Sequence, residues 1–240
     1  MLGYIISDKN EINVEEHEIK SFDILHKMDL NIFVIENNKI LYKNYIIYNA
    51  SQYGHVQVLE WFKNSGYEFK YYEDVINWAS QNGHVQVLEW FKNSFYEFKY
   101  DEWTIYYASS NGRVQALEWF KNSGYEFKYD NSVIDDASYY GDVQVLEWFK
   151  NSGYKFKYTK DAIINASQIG NIQVLEWFKN SGYKFKYNKY AFKTNFINIL
   201  KFYCNHVNIK KSIKWTDEII FIKTIKFKAN RKYLKGYQKN

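Results

Sequence analysis

Proline is absent from the 240-residue chain, glycine occurs 11 times and cysteine once, as Cys204. A single thiol excludes an intramolecular disulfide and any CxxC metal pair, and it fits a reducing compartment. No apolar run approaches a membrane span, and Met1 to Ser7 is too short for the apolar core of a secretory signal. The expectation is a chain that is neither secreted nor transmembrane, in the cytoplasm or nucleus of a host or source cell. G-x-x-x-x-G-K-[ST], G-x-G-x-x-G and H-E-x-x-H are all missing. The chain is therefore expected not to be an enzyme, with no catalytic residues, no metal and no cofactor.

Negative charge is scarce at one end. Residues 184–240 hold 15 Lys and Arg against two acids, Asp217 and Glu218, a net +13; the rest of the chain holds 17 against 25, a net −8. Such a dipole can orient a partner, although salt limits its reach to roughly 8 Å. The wealth of Tyr, Phe, Ile, Asn and Lys matches the coding bias of an AT-rich genome and speaks to origin, not chemistry.

Repetition dominates what remains. VQVLEWFKNSGY or a close variant recurs five times, placing Trp61, Trp90, Trp119, Trp148 and Trp177 at 29-residue intervals. A fixed period of this size means units that cannot bury their apolar faces alone and must stack. Each unit splits at a glycine into two amphipathic stretches. In the second, Val114, Leu117 and Phe120 follow helical spacing while Gln115, Glu118, Lys121 and Asn122 fall on the wet side. Gly124, like 66, 153 and 182, sits where a helix end needs a positive φ; Phe95 replaces it in one copy and should cost about 1 kcal/mol. A short alternating segment, YEFKY or YKFKY, follows and should be extended. The first helix then opens behind Asp101, Asp130 or Thr159, whose side chains can cap it. Its stripe includes Ala50, Ala79, Ala108, Ala137 and Ala166, small residues that let helices approach closely. The repeated core is accordingly expected at Ala79, Leu88, Trp90, Ala108, Leu117, Trp119, Ala137, Leu146 and Trp148.

The pattern GHVQVLEWFKNSG at 54–66 resembles the second helix and cap of the ankyrin repeat, G-H-L-E-V-V-K-L-L-L-E-x-G-A, and A-S-Q-N at 79–82 resembles the family's A-A-x-N. The resemblance spans roughly residues 30–205 and is closest to divergent arrays of large DNA viruses and amoebae. The 29-residue unit is shorter than the usual 33 or so, and the T-P-L-H tetrapeptide is missing. Both changes fall between YEFKY and the first helix, so projecting hairpin fingers should be shortened. The expected fold is all-α: an ankyrin-like α-solenoid of six to seven stacked helix-turn-helix repeats with short extended or hairpin connectors. An acidic cap covers 1–29; strong units lie at about 45–71, 72–100, 101–129, 130–158 and 159–187. Degenerate units are expected at 30–44, where Leu30, Phe33, Ile40 and Tyr42 keep register, and at 188–205, where Ile199, Leu200, Phe202 and Tyr203 echo the repeat after a deletion. A basic cap and tail fill 206–240.

Comparison between copies separates constant from variable positions. The second helix barely changes, whereas positions 74, 103, 132 and 161 read Asp, Trp, Ser, Asp; 77, 106, 135 and 164 read Asn, Tyr, Asp, Ile; and 78, 107, 136 and 165 read Trp, Tyr, Asp, Asn. Spacings of three and four residues put these on one helix face. The resemblance implies that this face grips a protein partner, through Trp78, Trp103, Tyr106, Tyr107, Asp135, Asp136, Tyr139 and Tyr140, a composition favoured at hot spots. A monomer that binds one protein is the expectation. The alternative is a nucleic-acid or anionic-membrane tether through 206–240, where Lys and Arg alternate with aromatics. His55 and His84 are replaced by Arg113, Asp142 and Asn171 in other copies, and Asp135 and Asp136 diverge by about 100° on a helix, so neither set reads as catalytic. Cys204 and His206 lack further ligands for zinc.

If the stripe is assigned correctly, Ala108→Trp overpacks the stack at a cost of about 1–3 kcal/mol, while Tyr107→Ala changes stability by under about 1 kcal/mol. Urea unfolding of the two variants distinguishes them; equal losses would mean the inner and outer faces are exchanged.

Overall fold

The computed structural model describes residues 10–13, 33–36, 39–42, 46–64, 69 and 71–206. Near the start lies a small antiparallel sheet of strands β1 (Asn10–Asn13), β2 (Phe33–Glu36) and β3 (Lys39–Tyr42), with β3 in the centre. Ile12 and Ile35 both pair with Ile40. This corrects the expectation of a degenerate helical unit at 30–44: register with the repeat aligned Phe33 with Phe62, yet Phe33 opens a strand. The physical reason is local. FVIE and KILY are rich in β-branched and aromatic residues, and only Asn37-Asn38 separates them in sequence, residues that a two-residue hairpin link favours.

Apart from that sheet and a short 3₁₀ turn, the regular elements among the described residues are eleven α-helices. They are α1 (Ile46–Gln52), α2 (Val56–Asn64), α3 (Asp74–Asn82), α4 (Val85–Asn93), α5 (Glu102–Ser110) and α6 (Val114–Ser123). Then follow α7 (Ser132–Tyr140), α8 (Val143–Asn151), α9 (Asp161–Ile169), α10 (Ile172–Asn180) and α11 (Ile197–His206). Five helix pairs therefore form an all-α repeat array of the solenoid class. In the sixth, the first helix shrinks to the 3₁₀ turn Lys189–Phe192. The array divides into two compact units, one drawn from residues 1–108 and 115–128, the other from 109–114 and 129–240. In the first unit α1 packs on α3, and in the second α7 packs on α9, so first helices stack on first helices.

Ala79, Leu88, Ala108, Leu117, Ala137 and Leu146 are fully buried, as the apolar stripes require. The tryptophans are not. Trp90, Trp119 and Trp148 are half-buried, and the large side chain filling each pair is the following phenylalanine, Phe91, Phe120 and Phe149. The connector of the preceding repeat closes over that ring: Tyr71 lies 5.0 Å from Phe91, and Tyr100 lies 5.9 Å from Phe120. In the second unit Tyr129 and Tyr158 sit 5.3 and 5.2 Å from Phe149 and Phe178. Each of these tyrosines also donates its hydroxyl to a backbone carbonyl of the next connector, Glu97, Glu126, Lys155 or Lys184.

The tryptophans instead cross-link second helices. Trp90, Trp119 and Trp177 donate Nε1–H to Glu60, Glu89 and Glu147 at 2.7 Å. An asparagine one turn on donates to the same carboxylates, Asn64 at 3.2 Å, Asn93 at 2.7 Å and Asn151 at 2.9 Å. A ring N–H is thus the reason for Trp at this place: it needs one apolar edge and one polar partner, which a buried site would not supply.

First helices end on glycines in the left-handed region. Gly141, at φ 87, ends α7, and a side chain there would press on Asn171; at Gly170 it would meet the Phe196 ring at 2.8 Å. At Phe95 the missing glycine is accommodated upstream. Ser94 is extended with ψ 166, where Ser152 and Ser181 have ψ −21 and −20, and the Phe95 side chain stands wholly in solvent.

The tryptophan hydrogen bonds hold the Glu60, Glu89 and Glu147 carboxyls below their ordinary value of 4.5. A depressed carboxyl stabilises the fold above its unfolded pKa, and that contribution is lost as pH falls through the folded pKa. Acid titration followed by circular dichroism should therefore show stability falling below about pH 4.5. Trp119→Phe, which keeps an aromatic side chain and removes the donor, should cost at least about 0.5–1.5 kcal/mol at neutral pH and show a weaker acid dependence.

Candidate recognition surface

In α5 the Asp101 carboxylate accepts from the Trp103 backbone N–H at 3.0 Å, so the residue expected to cap the helix does so. Asp130 accepts from the Ser132 N–H at 2.8 Å and Thr159 from the Asp161 N–H at 3.0 Å in the same manner. The cap fixes where the first turn begins and hence where Trp103 points. Its side chain is 49% exposed, and Tyr106 and Tyr107, one turn on, are half-buried beside it. The Trp103 ring centroid lies 5.3 Å from Tyr106, edge-on, and 6.0 Å from Tyr107; the two tyrosines are 5.4 Å apart. This is one continuous aromatic ridge along a helix, with the rings touching one another and no gap between them.

Trp78 on α3 is half-buried and meets Tyr48 of α1 edge-on at 5.5 Å. In the second unit, Tyr139 and Tyr140 close α7 in mutual edge contact at 5.0 Å, Tyr140 being 59% exposed, and Asp136 is half-buried. Trp103, Tyr139 and Tyr140 are thus exposed, and Trp78, Tyr106, Tyr107 and Asp136 are half-buried.

Asp135 is different and does not belong to the surface. It is 6% exposed, and its two carboxylate oxygens accept from the Thr159 backbone N–H at 2.9 Å and the Thr159 hydroxyl at 2.6 Å. Its equivalent Asn77 is also buried and accepts from the Thr104 hydroxyl, and Ile164 at the same place is buried as well. In these three copies variation at this position reflects changing partners across the stack and not exposure to solvent, while Tyr106 at the same place is half-buried. The signal was present between copies: Thr104 stands where two other copies carry valine, at 75 and 133, and it arises in the repeat that follows Asn77. A polar residue entering an apolar stripe needs a partner, and Asn77 is that partner.

A second group was not singled out from sequence. Ser80, Ser138 and Ser167, each following the conserved-in-copies alanine, are fully buried and donate to the carbonyls of Ile76, Ile134 and Ile163 at 2.8, 2.7 and 2.6 Å. Ser167 also meets the hydroxyl of Tyr203, which occupies the place of the repeat phenylalanine in the last unit. The loop residues after the glycines tie successive repeats as well. His84 Nε2 lies 2.9 Å from the Gln52 carbonyl, and Asn171 donates to the Tyr139 carbonyl at 2.6 Å. His206 on α11 shares a 2.8 Å hydrogen bond with Lys179. Among the described residues no group of three or more His, Cys, Asp or Glu side chains could hold a metal ion, and no helix is long and apolar enough to cross a membrane. The basic segment from 207 onward lies outside the described residues.

Burial pushes the Asp135 carboxyl above its ordinary range, against the opposing hydrogen bonds from Thr159. A raised carboxyl stabilises below its unfolded pKa and loses that contribution as pH rises through the folded pKa. Asp135→Asn keeps an acceptor for Thr159 without the buried charge, and Asn77 already serves in that form. Its stability at neutral pH should match the parent within about 1 kcal/mol, whereas Asp135→Ala leaves the Thr159 donors unpaired and should cost about 1–3 kcal/mol, both read by urea unfolding.

No protein-family profile matches the chain, and no curated protein matches it.

Proposed function

We propose that the chain is a non-enzymatic protein-recognition scaffold of the divergent ankyrin-like kind found in large DNA viruses and amoebae. It acts as a monomer in the cytoplasm or nucleus and grips a protein partner through the outer face of its first helices. The observation that carries this reading is the contrast at α5. The Ala and Leu positions that stack are constant between copies, while Trp103 occupies a half-exposed site where other copies carry Asp or Ser and brings two tyrosine rings with it. A large exposed aromatic surface on a rigid helix supplies contact area at little conformational cost, which is the composition of binding hot spots. In the second unit Tyr139 and Tyr140 carry the same chemistry on α7. The net +13 of residues 184–240 supports a second reading, a tether to nucleic acid or an anionic membrane through 206–240.

Proximity labelling or affinity capture with the full chain, with Trp103→Ala/Tyr107→Ala and with charge-neutralised 206–240 separates the two. On the first reading one protein is retained by the parent and the tail variant and lost from the aromatic variant, whose unfolding midpoint is unchanged. Retention that follows the tail and disappears with nuclease or salt supports the tether instead.

A further inference from the structure

The two connectors of the second unit, Tyr154–Tyr158 and Tyr183–Tyr187, both read Tyr-Lys-Phe-Lys-Tyr, whereas those of the first unit read Tyr-Glu-Phe-Lys at 96–99 and 125–128. One residue type in the alternation changes sign, and the structure gives the two lysines of each basic connector different positions. Lys157 and Lys186 lie over the Tyr129 and Tyr158 rings, 4.2 and 3.8 Å from the centroids, and donate to the carbonyls of the same tyrosines at 3.1 and 2.9 Å. They are held in place by a cation–π contact and a hydrogen bond. Lys155 and Lys184 are exposed. Their own carbonyls accept from the hydroxyls of Tyr129 and Tyr158, so the backbone beneath each exposed lysine is tied to the preceding repeat.

In the first unit the same geometry neutralises itself. Lys128 Nζ lies 3.9 Å from the Glu126 carboxylate of its own connector while resting on the Tyr100 ring. In the second unit that carboxylate is replaced by another cation. Asp130, the acid within electrostatic reach of Lys157, spends its carboxylate on the Ser132 hydroxyl and N–H. The result is a ridge with two fixed lysines and two exposed ones, repeating at the step of the array.

The step and the rings identify the ligand chemistry. Phe156 is stacked on Tyr183 at 4.2 Å and on Trp177 at 5.5 Å, so the connector rings are engaged with one another and offer no platform for nucleobases. Packed helices repeat at about 8–10 Å. A polyproline II peptide advances about 3.1 Å per residue with three residues per turn, which returns every third side chain to one face at roughly 9 Å. We propose that the connector ridge of the second unit binds an acidic peptide in this extended form, with Asp or Glu at every third position meeting Lys155 and Lys184 in turn.

Fluorescence anisotropy of a labelled (Glu-Pro-Pro)5 peptide with the full chain tests the proposal. Its controls are a peptide of equal composition with the glutamates in one block and a single-stranded oligothymidine. Lys155→Glu/Lys184→Glu restores the connectors of the first unit, a sequence this fold already accommodates, and circular dichroism confirms that it folds. The spaced peptide should bind in a salt-weakened manner, at least about tenfold more tightly to the parent than to the variant. It should also bind more tightly than the block peptide. Equal affinity for parent and variant overturns the site, because attraction then comes from the basic tail. Equal binding of spaced and block peptides overturns the register, and tighter binding of the oligonucleotide that the same variant abolishes overturns the peptide class.

Discussion

Nine-residue helices are marginal in water by themselves, and a pair of them cannot enclose its own apolar face. The array therefore depends on the closure of each connector over the phenylalanine of the next repeat. Tyr100 over Phe120 and Tyr158 over Phe178 perform this closure, each with its hydroxyl on the following connector's backbone. One residue thus contributes an apolar ring to the core of the next unit and a hydrogen bond to its main chain. The constancy of the second helix and its connector follows from that double duty, because a change on either side of the contact affects two repeats.

The same constraint sorts the charged residues. Glu60, Glu89 and Glu147 sit on an exposed face yet are committed to tryptophan indoles of the next repeat, and Lys99, Lys157 and Lys186 are committed to tyrosine rings of the preceding one. At the alternating connector position the second unit carries the exposed Lys155 and Lys184 outside this lattice of cross-links, whereas Glu126 of the first unit pairs with Lys128. The aromatic residues divide likewise: Phe and Trp of the second helices are structural, while Trp103, Tyr139 and Tyr140 of the first helices are surplus to the stack.

Much of the array was legible from the 29-residue period. The Ala and Leu positions and the split at each glycine depend on contacts that recur between copies, and the caps at Asp101, Asp130 and Thr159 recur in three of them, so comparing copies reveals them. Phe33 opens a strand although it keeps register with the repeat, because register carries no information about strand or helix once the flanking residues turn β-branched. Asp135 shows that variability is not exposure: variation also arises where a buried polar residue changes together with its partner, as Asn77 with Thr104 and Asp135 with the half-buried Thr159 do.

By itself the sequence determined that the chain is built from short amphipathic helix pairs that must stack, since periodicity and apolar spacing are local properties of the chain. Only the tertiary structure decided which member of each Trp-Phe pair fills the core, which lysine of each connector is held on a ring, and which variable residues face outward. Those choices depend on where the neighbouring repeat places its carboxylate, its ring and its carbonyl, and a single unit's sequence contains none of that geometry.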